Sequence, residues 1–255
     1  MLKVRVIPTL LWKDLGLVKG IGFDSWRRVG SVLPALKVYN SRDVDELIFV
    51  DITASIVGHE PDIDSVTDFS DACSVPLTVG GGITSVKQIT MLLRAGADKV
   101  SINTAAYSMP EIVNQAAARF GTQCIVASID VRYVDGNYRC FSHSGTVDTG
   151  RAPMPWAREL VDRGAGEILL TSIDRDGTMH GYDLELIHTV SAAVDIPVIA
   201  SGGAGNYQHM TEAVKAGAAA VAAASIFHFT EQTPAEAKQQ LESAGIAVRR
   251  NYVVF

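Results

Sequence analysis

Apolar residues follow two alternating rhythms along the 255-residue chain. Short runs rich in β-branched residues recur at Val4–Leu10, Glu46–Asp51, Pro76–Val79, Lys99–Asn103, Cys124–Asp130, Glu167–Thr171, Pro197–Ala200 and Ala219–Ala223. Runs this continuously apolar suit parallel strands buried on both faces. Longer stretches with a helical period separate them. From Ser85 to Ala95, for example, Val86, Ile89, Leu92 and Leu93 fall on one helical face. Strand–helix alternation over the whole length predicts the α/β class, and eight units predict a closed (β/α)8 TIM barrel rather than an open doubly wound sheet. No linker-like composition break interrupts the pattern, so residues 1–255 read as one barrel domain.

An internal repeat divides that barrel. A shift of 121 positions lays Glu46-Leu-Ile-Phe-Val on Glu167-Ile-Leu-Leu-Thr, Gly81-Gly82 on Gly202-Gly203, Arg94-Ala-Gly-Ala on Lys215-Ala-Gly-Ala, and Thr104 on Ser225. The repeat unit is half a barrel, four strand–helix units long, not a solenoid module. In such barrels the working groups sit at the C-terminal ends of the strands. There each half offers a glycine turn and a small hydroxyl residue: Gly80-Gly81-Gly82 with Asn103-Thr104, and Ser201-Gly202-Gly203 with Ala224-Ser225. Glycine lets backbone N–H groups approach an anion, and a hydroxyl adds a donor. Glycines also simply end strands; the same pair at the same repeat phase favours two phosphate sites, suited to a substrate with a phosphate at each end.

Asp51, Asp130, Asp174 and Asp176 lie at or just past expected strand ends. A carboxylate on a buried strand is costly unless it is used or paired. For Asp51 a helix cap or supporting partner weighs as much as chemistry, whereas Asp130 reads first as an acid–base group. Asp174 and Asp176 also suit a plain turn. At the other ends of the strands stand Arg5, Glu46, Lys99 and Glu167, readable as scattered rim ion pairs or as a ring of alternating charge across the barrel bottom.

Composition narrows the functional classes. A net charge of −6 lacks the basic footprint of a nucleic-acid binder. Three cysteines without C-x-x-C spacing suggest neither a disulfide framework nor zinc, and point to a reducing, cytoplasmic setting. The first twenty residues carry Lys3, Arg5, Lys13, Asp14 and Lys19, which fits no signal peptide, and no run is long enough to span a membrane. The six histidines form no metal-site pattern, and no G-x-G-x-x-G opens a dinucleotide site. No metal and no cofactor are expected.

The stretches Asp51-Ile-Thr-Ala-Ser, Val79-Gly-Gly-Gly-Ile, Ala97-Asp-Lys-Val-Ser-Ile-Asn-Thr-Ala-Ala, Thr171-Ser-Ile-Asp-Arg-Asp-Gly-Thr and Ile199-Ala-Ser-Gly-Gly-Ala-Gly together closely resemble the cyclase subunits of imidazole glycerol phosphate synthases. The similarity spans essentially the whole chain. It implies a glutaminase partner docked on the N-terminal barrel face, ammonia passing through the barrel, and a bisphosphorylated ribonucleotide cyclised at the C-terminal face. It makes Gly82, Asn103, Thr104, Gly177, Gly203 and Ser225 phosphate contacts, and Arg5, Glu46, Lys99 and Glu167 an ammonia gate, with Asp98 facing the glutaminase. Lys19 matches a mobile loop after the first strand and joins Asp51, Asp130 and Asp176 as a candidate catalytic residue.

One position departs from the resemblance. The family pairs an aspartate ending the fifth strand, here Asp130, with one ending the first strand, where this chain has Leu11. Leucine transfers no proton, and one positioned acid or base is worth about 10²–10⁴-fold in rate. Similar leucine-bearing relatives accompany bacterial surface-polysaccharide genes and are thought to supply ammonia for acetamidino sugars. Three readings follow, in order: an ammonia-conducting, phosphate-binding subunit with altered chemistry; an authentic histidine-pathway cyclase using another group; and a non-catalytic channelling scaffold. The sister phosphoribosyl isomerase barrel shares the two-phosphate design but also wants an acid at that position, and needs no four-charge gate.

Overall fold

The computed structural model describes residues 3–14 and 16–249. Eight parallel strands close into a barrel: β1 (Arg5–Lys13), β2 (Leu47–Asp51), β3 (Leu77–Gly80), β4 (Lys99–Ile102), β5 (Ile125–Val134), β6 (Glu167–Ser172), β7 (Val198–Ser201) and β8 (Ala220–Ala223). Each pairs with the next in sequence, and β8 pairs with β1, Arg5 opposite Ala220 and Ile7 opposite Ala222. The (β/α)8 TIM barrel expected from the sequence is the observed fold.

Strand alternation sorts the apolar side chains into two cores. On β1, Val6 and Leu10 point outward under the helices, into the layer that includes Leu36, Val221 and Leu241. Ile7 points inward and meets Ile48, Val126, Leu169 and Ile199 from other strands, filling the barrel's waist. The helix expected around Ser85–Ala95 spans Val86–Arg94, opened by a capping box in which Ser85 and Gln88 satisfy each other's free N–H groups.

The repeat is equally visible. β3 and β7, the helices Val86–Arg94 and Tyr207–Lys215, β4 and β8, and the short helices Thr104–Ser108 and Ser225–Phe229 all stand 121 positions apart at both ends. The two halves share one local plan.

Two additions break that symmetry at the C-terminal mouth. After β1 the chain forms a hairpin of Gly16–Ile21 and Asp24–Gly30, with Leu11 opposite Val18. β5 runs past Asp130 to Val134 and returns as Asn137–Ser142, followed by Val147–Asp148. Asp24–Gly30 is largely exposed and carries Trp26, Arg27 and Arg28, so it shows no buried-strand pattern. Among the described residues no helix is long and apolar enough to cross a membrane.

Candidate functional site

A cavity of about 500 Å³ opens at the C-terminal mouth, walled by strand ends of both halves and by the hairpin after β1. Asp130 enters it from β5 and is only 9% exposed. Its Oδ2 accepts a 2.6 Å hydrogen bond from Asn103 Nδ2. Burial, and then the negative charge of Asp176, push the Asp130 carboxyl up to about 7, against the opposing hydrogen bonds of Asn103 and Thr171. A carboxyl titrating there both accepts and returns protons near neutral pH, as an acid–base group must.

Asp176 is joined to the hairpin. Lys19 Nζ lies 2.5 Å from its Oδ2, and Gly22 N donates to its main-chain oxygen at 2.9 Å. Lys19 is 2% exposed and Asp176 8%, so the ion pair is sealed under the hairpin at the roof of the cavity. Gly177 beside it has φ +75°, and a Cβ there would stand 2.1 Å from Gly20 O, so glycine lets the two loops close on each other. Asp51 also faces the cavity, but its Oδ1 accepts from Thr53 N, Thr53 Oγ1 and Ala54 N at 2.8–3.0 Å. That geometry matches the capping role weighed for it from the sequence. Leu11 forms an apolar part of the wall, between Val18 of the hairpin and Val50 of β2. Asp14 sits exposed in the turn beyond β1, outside the cavity wall.

The glycine and hydroxyl residues singled out in each half line the same cavity. Gly82 has φ +68°, with His59 O 2.6 Å from where a Cβ would stand; Gly203 has φ +109°, with Gly181 O at 2.1 Å. Both positions therefore exclude a side chain. Thr104 Oγ1 accepts from His143 N at 3.0 Å, which turns its own hydroxyl proton to another acceptor. Ser225 Oγ is buried without a hydrogen-bond partner among the described residues, a deficit of about 1–3 kcal/mol that a bound acceptor relieves.

At the opposite end of the barrel the four charges form a closed ring. Arg5 Nη1 lies 2.8 Å from both Glu46 Oε1 and Glu167 Oε1, and Lys99 Nζ lies 3.0 Å from Glu46 Oε2 and 2.9 Å from Glu167 Oε2. Each carboxylate is shared by both cations, which distinguishes this arrangement from scattered rim pairs. It lies directly beneath the apolar waist of Ile7, Ile48, Val126, Leu169 and Ile199. Asp98, one residue before β4, accepts from Leu77 N at 2.8 Å on the same face.

Sequence reading did not single out Phe23, Trp26, His59, His143 or Ser144, all of which line the mouth. His143 and Ser144 turn the return hairpin with φ +50° and +53°; Ser144 Oγ donates to Ile52 O at 2.6 Å. The signal was the hairpin itself: Asp135-Gly136 between Val134 and Asn137 is a two-residue turn sequence, and both residues have positive φ.

Residues 5–233 match the protein family described as "Histidine biosynthesis protein". The chain is 50% identical over 250 residues to the protein named "Imidazole glycerol phosphate synthase subunit HisF" of Hyphomonas neptunium, covering 98% of this chain and 99% of the relative. It is 47% identical over 250 residues to the protein of that name from Chloroherpeton thalassium, and 48% over 252 residues to that of Caulobacter vibrioides, again over 98% of this chain and at least 97% of each relative.

Proposed function

The chain belongs to the HisF family of histidine biosynthesis proteins, and from that premise we propose that it is the ammonia-using synthase subunit of a glutamine amidotransferase complex. In this reading the C-terminal mouth binds a bisphosphorylated ribonucleotide between the Gly82–Asn103–Thr104 and Gly203–Ser225 corners. Gly177 contacts the substrate under the hairpin. A glutaminase docks on the N-terminal face, where Asp98 lies, and the Arg5–Glu46–Lys99–Glu167 ring controls entry of its ammonia. The names of the relatives favour the cyclase reaction of histidine biosynthesis over the altered chemistry ranked first from sequence.

The observation that carries the reading is Asp130: a buried carboxyl, oriented by Asn103 and raised to about 7, at the mouth of a barrel whose two halves present matching glycine and hydroxyl corners. Asp130 takes a proton from the attacking nitrogen as the new C–N bond forms and returns one to the departing group. The Lys19–Asp176 pair closes the hairpin over the substrate and excludes water. Asp51 supports the loop after β2 through its cap. Leu11 supplies no second proton-transfer group, so the cyclase reaction runs slowly on Asp130 alone, by about 10²–10⁴-fold relative to a two-carboxylate site.

Leu11 is also the specific observation behind a second reading. In it the barrel passes ammonia to other chemistry, such as the acetamidino-sugar synthesis attached to leucine-bearing relatives. Ammonia-dependent turnover of the histidine-pathway ribonucleotide separates the two: measurable turnover that requires Asp130 supports the first, and none in a folded protein that binds the ribonucleotide supports the second.

A further inference from the structure

The two anion corners share a local plan, yet their surroundings differ in charge. Three side chains able to carry a positive charge line the cavity among the described residues: Lys19, His59 and His143. Lys19 is consumed by Asp176. Both histidines belong to the first-half corner and are tied to it through the main chain. His59 O stands 2.6 Å from the Cβ position of Gly82, and His143 N donates to Thr104 Oγ1 at 3.0 Å. At the second-half corner Arg175 Cβ approaches the Cβ position of Gly203 at 3.1 Å, but Arg175 is exposed and outside the cavity wall.

The histidines differ in what their rings have left to offer. His59 is 46% exposed; its Nδ1 lies 2.9 Å from Glu60 O and its Nε2 3.5 Å from Asp51 Oδ2. Both of its nitrogens face protein acceptors. His143 meets buried Ser142 Oγ through Nδ1 at 2.9 Å, which fixes the ring and leaves Nε2 for a bound molecule. If Nδ1 accepts from that hydroxyl, Nε2 carries the proton; in the imidazolium both nitrogens do. In both of these states Nε2–H donates, whereas the tautomer that gives Nδ1–H to Ser142 leaves Nε2 an acceptor, so a bound phosphate selects the first two. The ring is held in place by a costly backbone: His143 and Ser144 both occupy the left-handed region, tied down at Thr104 and Ile52. Strain of this kind, of order 1 kcal/mol or more per residue, persists where surrounding contacts over-determine the turn.

We infer that His143 Nε2 is a direct phosphate ligand of the first-half corner, so that the two phosphate sites are chemically unequal: one held by an imidazole, a hydroxyl and backbone N–H groups, the other by neutral groups alone. The inference rests on the two-phosphate reading of the mouth and adds to it a specificity. An asymmetric bisphosphate places its more highly charged phosphate beside His143 and its other phosphate at Gly203 and Ser225.

Inorganic phosphate is the probe. It is titrated into the full-length protein at constant pH, with binding followed by calorimetry and the histidine ring signals by nitrogen-15 NMR. The His143 ring signals, assigned by their loss in His143→Gln, move on phosphate addition. His143→Gln weakens one phosphate by about ten-fold, the value of a charge-assisted hydrogen bond, and leaves the other within two-fold. Phosphate binding with unmoved ring signals, or with unchanged affinity in folded His143→Gln, overturns the assignment while leaving the two-phosphate reading intact. Absence of phosphate binding to the parent protein overturns both. The ring shift is read in the parent, so it decides the question even where the variant folds poorly.

Discussion

Asn103 and Asp130 join the ends of two neighbouring barrel strands: the Asn103 amide donates to Asp130 Oδ2 at 2.6 Å at the base of the mouth. Among the described residues, the bond orients the one buried carboxyl that faces the cavity without a cation on it. It also opposes the upward shift that burial and Asp176 impose. Asp130 thus sits at the balance point where a proton is exchanged near neutral pH.

That balance has a signature in stability. With the Asp130 carboxyl raised from 3.8 to about 7, the folded state holds its proton more tightly than the unfolded chain. Its contribution is therefore intact below about pH 4 and lost as pH rises through about 7. Asp130→Asn escapes this loss. The variant should gain stability over the parent between pH 4 and pH 8, on the order of 2–4 kcal/mol, while losing turnover. Denaturant unfolding at the two pH values checks it; a constant difference contradicts the assignment.

The hairpin after β1 should depend on Lys19. Replacing it in Lys19→Met leaves the buried Asp176 carboxylate beside Asp130 with no cation. The expected outcome is an opened hairpin, read as trypsin cleavage at exposed Arg27 and Arg28 several-fold faster than in the parent. Equal cleavage rates would mean that the hairpin is held without the ion pair, by the Gly22 N–H bond to the Asp176 main chain and the contacts of Phe23 and Trp26.

In the charge ring, Glu46→Ala leaves Arg5 and Lys99 sharing Glu167. Removing one partner of a buried pair costs about 3–5 kcal/mol, eased here because Glu167 remains between the two cations, so the variant's melting temperature is measured alongside. With the glutaminase present, glutamine hydrolysis should continue while less of its ammonia reaches product, and added ammonium salt should restore the rate. The ratio of glutamate to product measures this directly. Unchanged coupling in the folded variant would reduce the ring to a structural brace.

Much of the barrel was legible because its strands are apolar on both faces and its halves repeat. Every expected strand appears within a few residues, and the 121-residue shift aligns helix and strand ends. The corner glycines were legible for a related reason: Gly82 and Gly203 have no room for a Cβ, so the sequence had no other choice there. The mouth insertions were not. Hairpin strands such as Asp24–Gly30 are stabilised by pairing and by contacts across the mouth rather than by a buried face. They leave no hydrophobic period to read. His143 was hidden for the same reason, since the turn that aims it depends on Thr104 and Ile52, each about forty or more positions earlier in the chain. The meaning of Asp51 needed coordinates too, because capping and catalysis place the same residue at the same strand end.

The central claim is that the mouth performs ammonia-dependent cyclisation on Asp130, slowed by the leucine at position 11. Leu11 borders the cavity and is only partly buried, so Leu11→Asp introduces a carboxylate that water still reaches. The deciding measurement is ammonia-dependent turnover of the histidine-pathway ribonucleotide by the parent, Leu11→Asp, and Leu11→Asp combined with Asp130→Asn, each with its melting temperature. The account predicts slow turnover by the parent, a gain of at least about ten-fold in Leu11→Asp, equal to roughly 1.4 kcal/mol of barrier, and loss of that gain in the double variant. A parent already at ordinary enzyme rates and indifferent to Leu11→Asp, or a folded set of proteins with no turnover at all, would contradict it.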